Sequence, residues 1–225
     1  MDWQALRISA WLALLTAAVL LLPAIALARW LAAGRSPGRT VVEASLALPL
    51  ILPPTVLGFY LLVAMGAGSP LGAAYASLFG HPLAFSFSGL LVASVVFNIP
   101  FAVMPMQRAF AAIPAEVADA ARTCGLSRWR SLWRIELPLA WPGILTGVIM
   151  TAAHTLGEFG VVLMVGGNIP GETRTVAIAI YDRAQAFDLQ GAGAMSAMLL
   201  AISMATLLVG GWLGRSRNQA GARVA

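Results

Sequence analysis

Thr151, His154, Thr155 and Glu158 recur at i, i+3, i+4 and i+7 within an otherwise apolar run, a spacing that sets all four on one helical face. Two of them titrate and two donate and accept hydrogen bonds, so the face could relay protons, gate a polar path or clamp helices together. Ionisable groups at membrane depth are costly and normally face a bundle interior or a water-filled cavity. Two readings stay open: a lining of a pathway or gate, in which Glu158 hydrogen-bonds to neighbouring spans, and a structural His154–Glu158 bond. Direct coordination of an anion by Glu158 is disfavoured, because like charges repel strongly at low dielectric. Gly157 and Gly160 flank Glu158 and permit close helix approach or a hinge.

Other kinds of chemistry are bounded by composition. All fourteen basic residues are arginine, and no Gly-x-x-x-x-Gly-Lys string occurs. A phosphate-cradling loop needs that lysine, so the chain is expected to supply no ATPase chemistry, to be no enzyme and to bind no cofactor of its own. The single cysteine, Cys124, permits no disulfide framework and no metal cluster, and is expected to be a small buried helix residue. The isoelectric point of about 10.6 raises nucleic acid as a partner. The arginines, however, stand at the ends of apolar runs and are not gathered on one face, which argues against it.

The elements that position these groups are membrane spans. Sixty per cent of the residues are hydrophobic and 10% charged, with a mean hydropathy of +0.84, values of an all-α integral membrane protein. About twenty apolar residues cross a bilayer, and five stretches qualify: 8–31, 41–65, 87–106, 139–165 and 191–213. Ala26-Leu27-Ala28 resembles a cleavage site, but the positive charges follow the first run instead of preceding it, so it reads as a retained span. The connection 66–86 is expected to hold a short interfacial helix. No second domain is expected in 1–225.

Arginine placement gives an expected orientation. Arg29, Arg35 and Arg39 follow the first span, Arg108, Arg122, Arg128, Arg130 and Arg134 the third, and Arg215, Arg217 and Arg223 the fifth. Arg7, Arg174 and Arg183 fall on the other side. The positive-inside bias then places the N-terminus outside and the C-terminus in the cytoplasm. Pro53 and Pro54, mid-way along the second span, free carbonyls one turn back and are expected to bend it, as a pathway element or as a packing kink. Pro100 frees the carbonyl of Val96 in the third.

Between the third and fourth spans, over about 108–138, the chain turns charged. Pro114 is set to open a helix, with Glu116 and Asp119 at its positive end. Gly125 is set to close it in the left-handed region, and Ser127 to cap a second short helix on which Trp129, Leu132 and Trp133 share a face. Pro138 ends that helix or starts the next. The product is a rigid helix-turn-helix with a small-residue surface suited to docking in a partner's groove. On the other side, Asn168, Pro170 and Gly171 form a turn, and Glu172 and Arg174 place rim charges that steer a docking protein.

Asp119-Ala120-Ala121, Gly125, then Ile135, Leu137 and Pro138 at this spacing resemble the cytoplasmic loop of ABC-importer membrane subunits, with Asp119 where that family usually has Glu. Leu52-Pro53-Pro54-Thr55-Val56-Leu57-Gly58, Leu156-Gly157-Glu158-Phe159-Gly160 and the run from Gly167 to Thr175 narrow it: the chain resembles the membrane subunit of molybdate ABC transporters, over about 38–213. The resemblance implies a type I ABC importer fold in the bacterial inner membrane and a second copy of the chain. It further implies two cytoplasmic ATPases holding ATP and Mg, and a periplasmic or lipid-anchored oxyanion-binding protein. Sulfate and tungstate stay open as alternative substrates, and a proton-coupled carrier using His154 and Glu158 as a rival class.

Overall fold

The structure is a computed structural model that describes residues 2–34 and 36–221, with side chains described as far as Val209 except that of Ala118. Arg35 and Arg223, and the side chains of Arg215 and Arg217, all counted in the charge asymmetry, lie outside what is described. Every regular element among the described residues is helical.

α1 (Trp3–Ala32) opens on Asp2, whose carboxylate accepts the Ala5 N–H at 2.9 Å. It packs along α5 (Phe87–Ala111) and α8 (Leu137–Gly157), and these three form the scaffold. Leu20, Ala24, Ala28 and Leu31 of α1 recur at helical spacing and meet Ala102, Val103, Met106 and Phe110 of α5 and Ala140 and Ile144 of α8. Small residues set the spacing, because lipid tails are as apolar as leucine and van der Waals contact, not apolar burial, holds membrane helices together. A Cβ on Gly147 would lie 2.6 Å from the Ala102 carbonyl oxygen, so α8 approaches α5 backbone to backbone.

The second span is two helices. α2 (Pro37–Ile51) and α3 (Pro54–Met65) meet at 109° across Leu52–Pro53. The expected bend is thus a full break: Pro53 and Pro54 both lack the N–H that would continue the ladder, and Leu52 and Pro53 turn to extended backbone at ψ 140° and 133°. Four single helices are long and apolar enough to span, and five spans result if the broken pair counts as one. α4 (Pro70–Phe79), capped by Ser69, is the short helix expected in 66–86.

The fourth span also departs from expectation, at both ends. α6 (Ala115–Thr123) and Gly125, at φ +74°, form the first half of the charged loop as the sequence implies. α7 (Arg128–Ser131), capped by Ser127, is not a separate short helix: it widens into one π-helical turn over Leu132–Glu136 and continues into α8, a run of 30 residues from Arg128 to Gly157. The wide turn solves the problem Pro138 sets. Leu137 N–H bonds the Leu132 carbonyl, and Pro138 begins α8, where its missing donor costs least. At the far end α8 stops at Gly157, Glu158 is extended (ψ 131°), and α9 (Gly160–Gly166) resumes. Glu158 therefore does not share a continuous helical face with Thr151, His154 and Thr155. α10 (Val176–Gln185) and α11 (Leu189–Gly221) complete the chain.

Cys124 is exposed at the end of α6, contrary to the expectation of burial. Gly125 turns the chain directly after it, so no following turn of helix covers the side chain.

Candidate functional site

The two broken spans meet at their breaks. A Cβ on Gly160, the first residue of α9, would fall 2.8 Å from Pro54 Cβ, the first residue of α3, and one on Gly58 would fall 2.8 Å from Met164 Cβ. Both glycines are there because a side chain would push α3 and α9 apart. Val161 and Val165 seal the contact with Met65, Ala93 and Phe97. Pro53, Pro54 and Glu158, far apart in sequence, thus belong to one junction of interrupted backbone, the kind tolerated at membrane depth only where protein or a cavity covers it.

Beneath the junction lies a polar strip. His154 Nδ1 pairs with Asn98 Oδ1 at 3.0 Å, Asn98 Nδ2 donates to the Ser94 carbonyl at 2.8 Å, and Phe101 stacks on the imidazole at 3.8 Å between centroids. His154 is therefore held by α5, and neither the His154–Glu158 bond nor the expected hydrogen bonds from Glu158 to span neighbours form. Asn98 is the residue that sequence reasoning missed; a buried amide one position before Ile99-Pro100, at a place where helix carbonyls are freed, was the available signal. Thr155 Oγ1 returns its proton to the Thr151 carbonyl at 2.8 Å, and Thr151 is fully buried. Glu158 is 5% exposed, and neither of its oxygens meets a donor at hydrogen-bonding geometry. A buried carboxylate without a donor is costly when charged.

At one end of the bundle the 167–175 loop is stapled down. Buried Thr173 Oγ1 donates to the Gly166 carbonyl (2.7 Å) and accepts the Ile169 N–H (3.0 Å). Ser9 of α1 accepts the Val176 N–H at 2.8 Å. On this base Asn168 bridges two charges: its Oδ1 accepts from Arg174 Nε at 2.6 Å and its Nδ2 donates to Asp182 at 2.6 Å. Asn168 and Arg174 come together as the sequence reading expected, Asp182 was not foreseen, and Glu172 stands apart from the three.

At the other end, Glu116, Asp119, Ala120 and Thr123 share the exposed face of α6, with Asp119 paired to Arg122, while Ala121 is turned inward at 4% exposure. Ile135 and Leu137 are half-buried and Pro138 is exposed. Trp129 of α7 and Trp133 of the π-helical turn stand exposed, edge to face at 5.9 Å. The loop is fixed to the scaffold by a bidentate pair that the sequence did not reveal: Arg29 Nε and Nη2 donate to Glu136 at 2.6 and 3.0 Å, and Glu136 also accepts from Ser131. Arg29→Ala is expected to lower stability by about 1 kcal/mol, since the pair is partly solvated. The combined exchange Arg29→Glu with Glu136→Arg should recover part of the loss in thermal unfolding of the detergent-solubilised protein. No recovery would mean that the two charges do not act as a pair.

Residues 24–218 match the family described as binding-protein-dependent transport system inner membrane component. The chain belongs to that family. It is accordingly an inner-membrane permease of the ABC importer class. Among its relatives is the molybdenum transport system permease protein ModB of Azotobacter vinelandii, 48% identical over 187 residues, 83% of each chain. The sulfate transport system permease protein CysT of Escherichia coli K12 is 33% identical over 173 residues, 77% of this chain and 62% of that one. The fold is that of a bacterial ABC transporter involved in the import of the acidic polysaccharide alginate, with a TM-score of 0.76 at 16% identity over 95% of this chain and 78% of that one. Within this permease family fold, the helical loop at one end, the junction of the interrupted spans and the stapled loop at the other end lie along a single bundle.

Proposed function

We propose that the chain is the molybdate-specific permease subunit of an ATP-driven importer. The supporting observation is the 48% identity, sustained over 83% of both chains, to a molybdenum permease, against 33% to a sulfate permease. On this reading two copies enclose the pathway, because one copy leaves apolar faces of α2, α3 and α11 open, among them Val41, Ile51, Phe59, Tyr60, Leu200 and Leu208. Two cytoplasmic ATPases bearing ATP and Mg engage Glu116, Asp119, Ala120 and their neighbours through Gly125, Ile135, Leu137 and Pro138. The chain itself is non-catalytic and binds no cofactor. A periplasmic or lipid-anchored oxyanion-binding protein docks at the Asn168–Arg174–Asp182 cluster. ATP binding moves the loop, and the Pro53–Pro54 and Glu158 junction opens and closes the path.

The test is uptake by the reconstituted complex. Accumulation of molybdate that needs internal ATP, stops with vanadate and is outcompeted more weakly by sulfate supports the reading. Collapse by a protonophore at constant ATP would instead favour a proton-coupled carrier. Equal accumulation of sulfate would overturn the substrate assignment alone.

The proposed topology, N-terminus outside and loop inside, has a built-in reporter. Cys124 is the single cysteine and is exposed. A membrane-impermeant maleimide should therefore label the parent protein only after the membrane is opened. Asn168→Cys in a Cys124→Ala background should react in intact spheroplasts. Labelling of Cys124 from outside would reverse the orientation.

A further inference from the structure

We propose that the cleft between the first turns of α1, the start of α5 and the 167–175 loop binds a zwitterionic, amine-bearing phospholipid, with Arg7 on its phosphate and Glu172 on its ammonium. The cleft has a volume of ≈ 340 Å³, and its walls carry Trp11, Leu15 and Phe87 below the two charged groups.

Depth places it at the lipid headgroups. Trp3 and Trp30, at opposite ends of α1, are 67% and 44% exposed. Their 27-residue separation along a helix is about 40 Å, the thickness of a bilayer with its interfacial layers, where exposed tryptophans sit as a belt. Arg7 lies one turn, about 6 Å, inside Trp3, and Leu15 about 12 Å deeper. A polar entrance at headgroup level thus leads to an apolar wall at acyl-chain level.

Charge selects the occupant. The neighbouring charges of this edge are paired: Arg174 with Asp182, and Arg183 with Asp188 at 2.6 Å. The side chains of Arg7 and Glu172 line one cleft yet, among the described residues, make no ion pair or hydrogen bond with each other or with anything else. A zwitterion answers both at once. The guanidinium matches a phosphate in two-pronged fashion, and the carboxylate accepts from an ammonium. An anionic glycerol headgroup leaves Glu172 repelled, and a choline headgroup has no N–H to donate. The loop that supplies Glu172 is held against α1: a Cβ on Gly171, at φ +84°, would fall 2.7 Å from the Gln4 amide nitrogen. Glu172 thereby gains a partner other than the docking protein expected from sequence.

Native mass spectrometry of the full transporter, released from detergent micelles carrying equal amounts of phosphatidylethanolamine, phosphatidylcholine and phosphatidylglycerol, tests the site. The parent should retain phosphatidylethanolamine about tenfold over the other two, the scale of one charged hydrogen bond. Arg7→Gln should lose retention of all three, and Arg7→Lys, which keeps the charge, should recover it in part. Glu172→Gln should hold phospholipid but lose the preference for ethanolamine over choline. Equal retention of the three lipids by the parent, or unaltered preference in Glu172→Gln, would overturn the proposal. So would displacement of the lipid by water-soluble glycerophosphoethanolamine at equal concentration, or capture of the binding protein in place of lipid by a photo-crosslinker at Trp11.

Discussion

Ala120→Arg is expected to abolish ATP-driven uptake while the subunit still folds, inserts and purifies in normal yield. Ala120 is exposed on α6 beside Glu116, Asp119 and Thr123, so a long cation there meets solvent in the isolated chain and obstructs only a partner's groove. Ala121→Arg should fail differently. That side chain is 4% exposed, its carbonyl receives the Leu126 N–H at 3.0 Å, and an arginine would be driven into the turn, lowering yield as well as activity. Gly125→Val belongs with the second class: nothing lies within 4 Å of a Cβ there, but φ +74° is strained for a β-branched residue. The measurement pairs uptake with ATPase co-purification. Normal uptake by Ala120→Arg would remove the exposed face of α6 from the coupling surface, whereas loss of folded protein would show that the face is structural.

Glu158→Gln is expected to keep most of the transport and to raise resistance to heat. The carboxylate is buried without a donor, so the neutral amide removes a desolvation cost of about 1–3 kcal/mol while filling the same volume. Glu158→Ala should instead empty the space between α8 and the tight α3–α9 contact and uncouple ATP hydrolysis from uptake. ATPase rate and molybdate uptake in liposomes, with and without the binding protein, separate the outcomes. If Gln is as inactive as Ala, the charge or its proton takes part in the cycle. Parental behaviour of both variants would end the gating role.

Much of this was legible in the sequence because short-range rules decide it. Pro114, Gly125 and Ser127 act through their own backbone preferences, and they end and cap helices where spacing says they must. The break at Pro53–Pro54 was legible as a bend but not as a 109° turn, since its angle is set by α9, a hundred residues away, through Gly160 and Gly58. The helical face from Thr151 to Glu158 was misjudged for a related reason. Periodicity assumes an unbroken helix; Gly157 and Gly160 permit a hinge beside Glu158, but that the chain breaks there depends on the packing of α3 against Gly160. Asn98 with His154, Arg29 with Glu136 and Asn168 with Asp182 pair residues 56, 107 and 14 positions apart, and single-chain periodicity carries no information about such meetings. The burial of Ala121 beside the exposure of Ala120 follows from how α6 leans on its own turn, which the shared Ala-Ala sequence conceals.

One helical run, with a single π-helical turn at 132–136, leads from Arg128 in the charged loop to the Glu158 break. From the Arg29–Glu136 pair to Gly157 the run measures about 32 Å, so a tilt of roughly 5° about that pair displaces the tip by about 3 Å. The α3–α9 contact leaves no room for closer approach, since even a Cβ at Gly160 would stand only 2.8 Å from Pro54. On the proposed coupling, such a tilt would need no relay of side-chain rearrangements between the two ends. On the same proposed coupling, a lever pivoting at the Arg29–Glu136 clamp would carry a small push at the foot directly to the Glu158 break, and shortening or softening the lever should cost transport before it costs ATP hydrolysis.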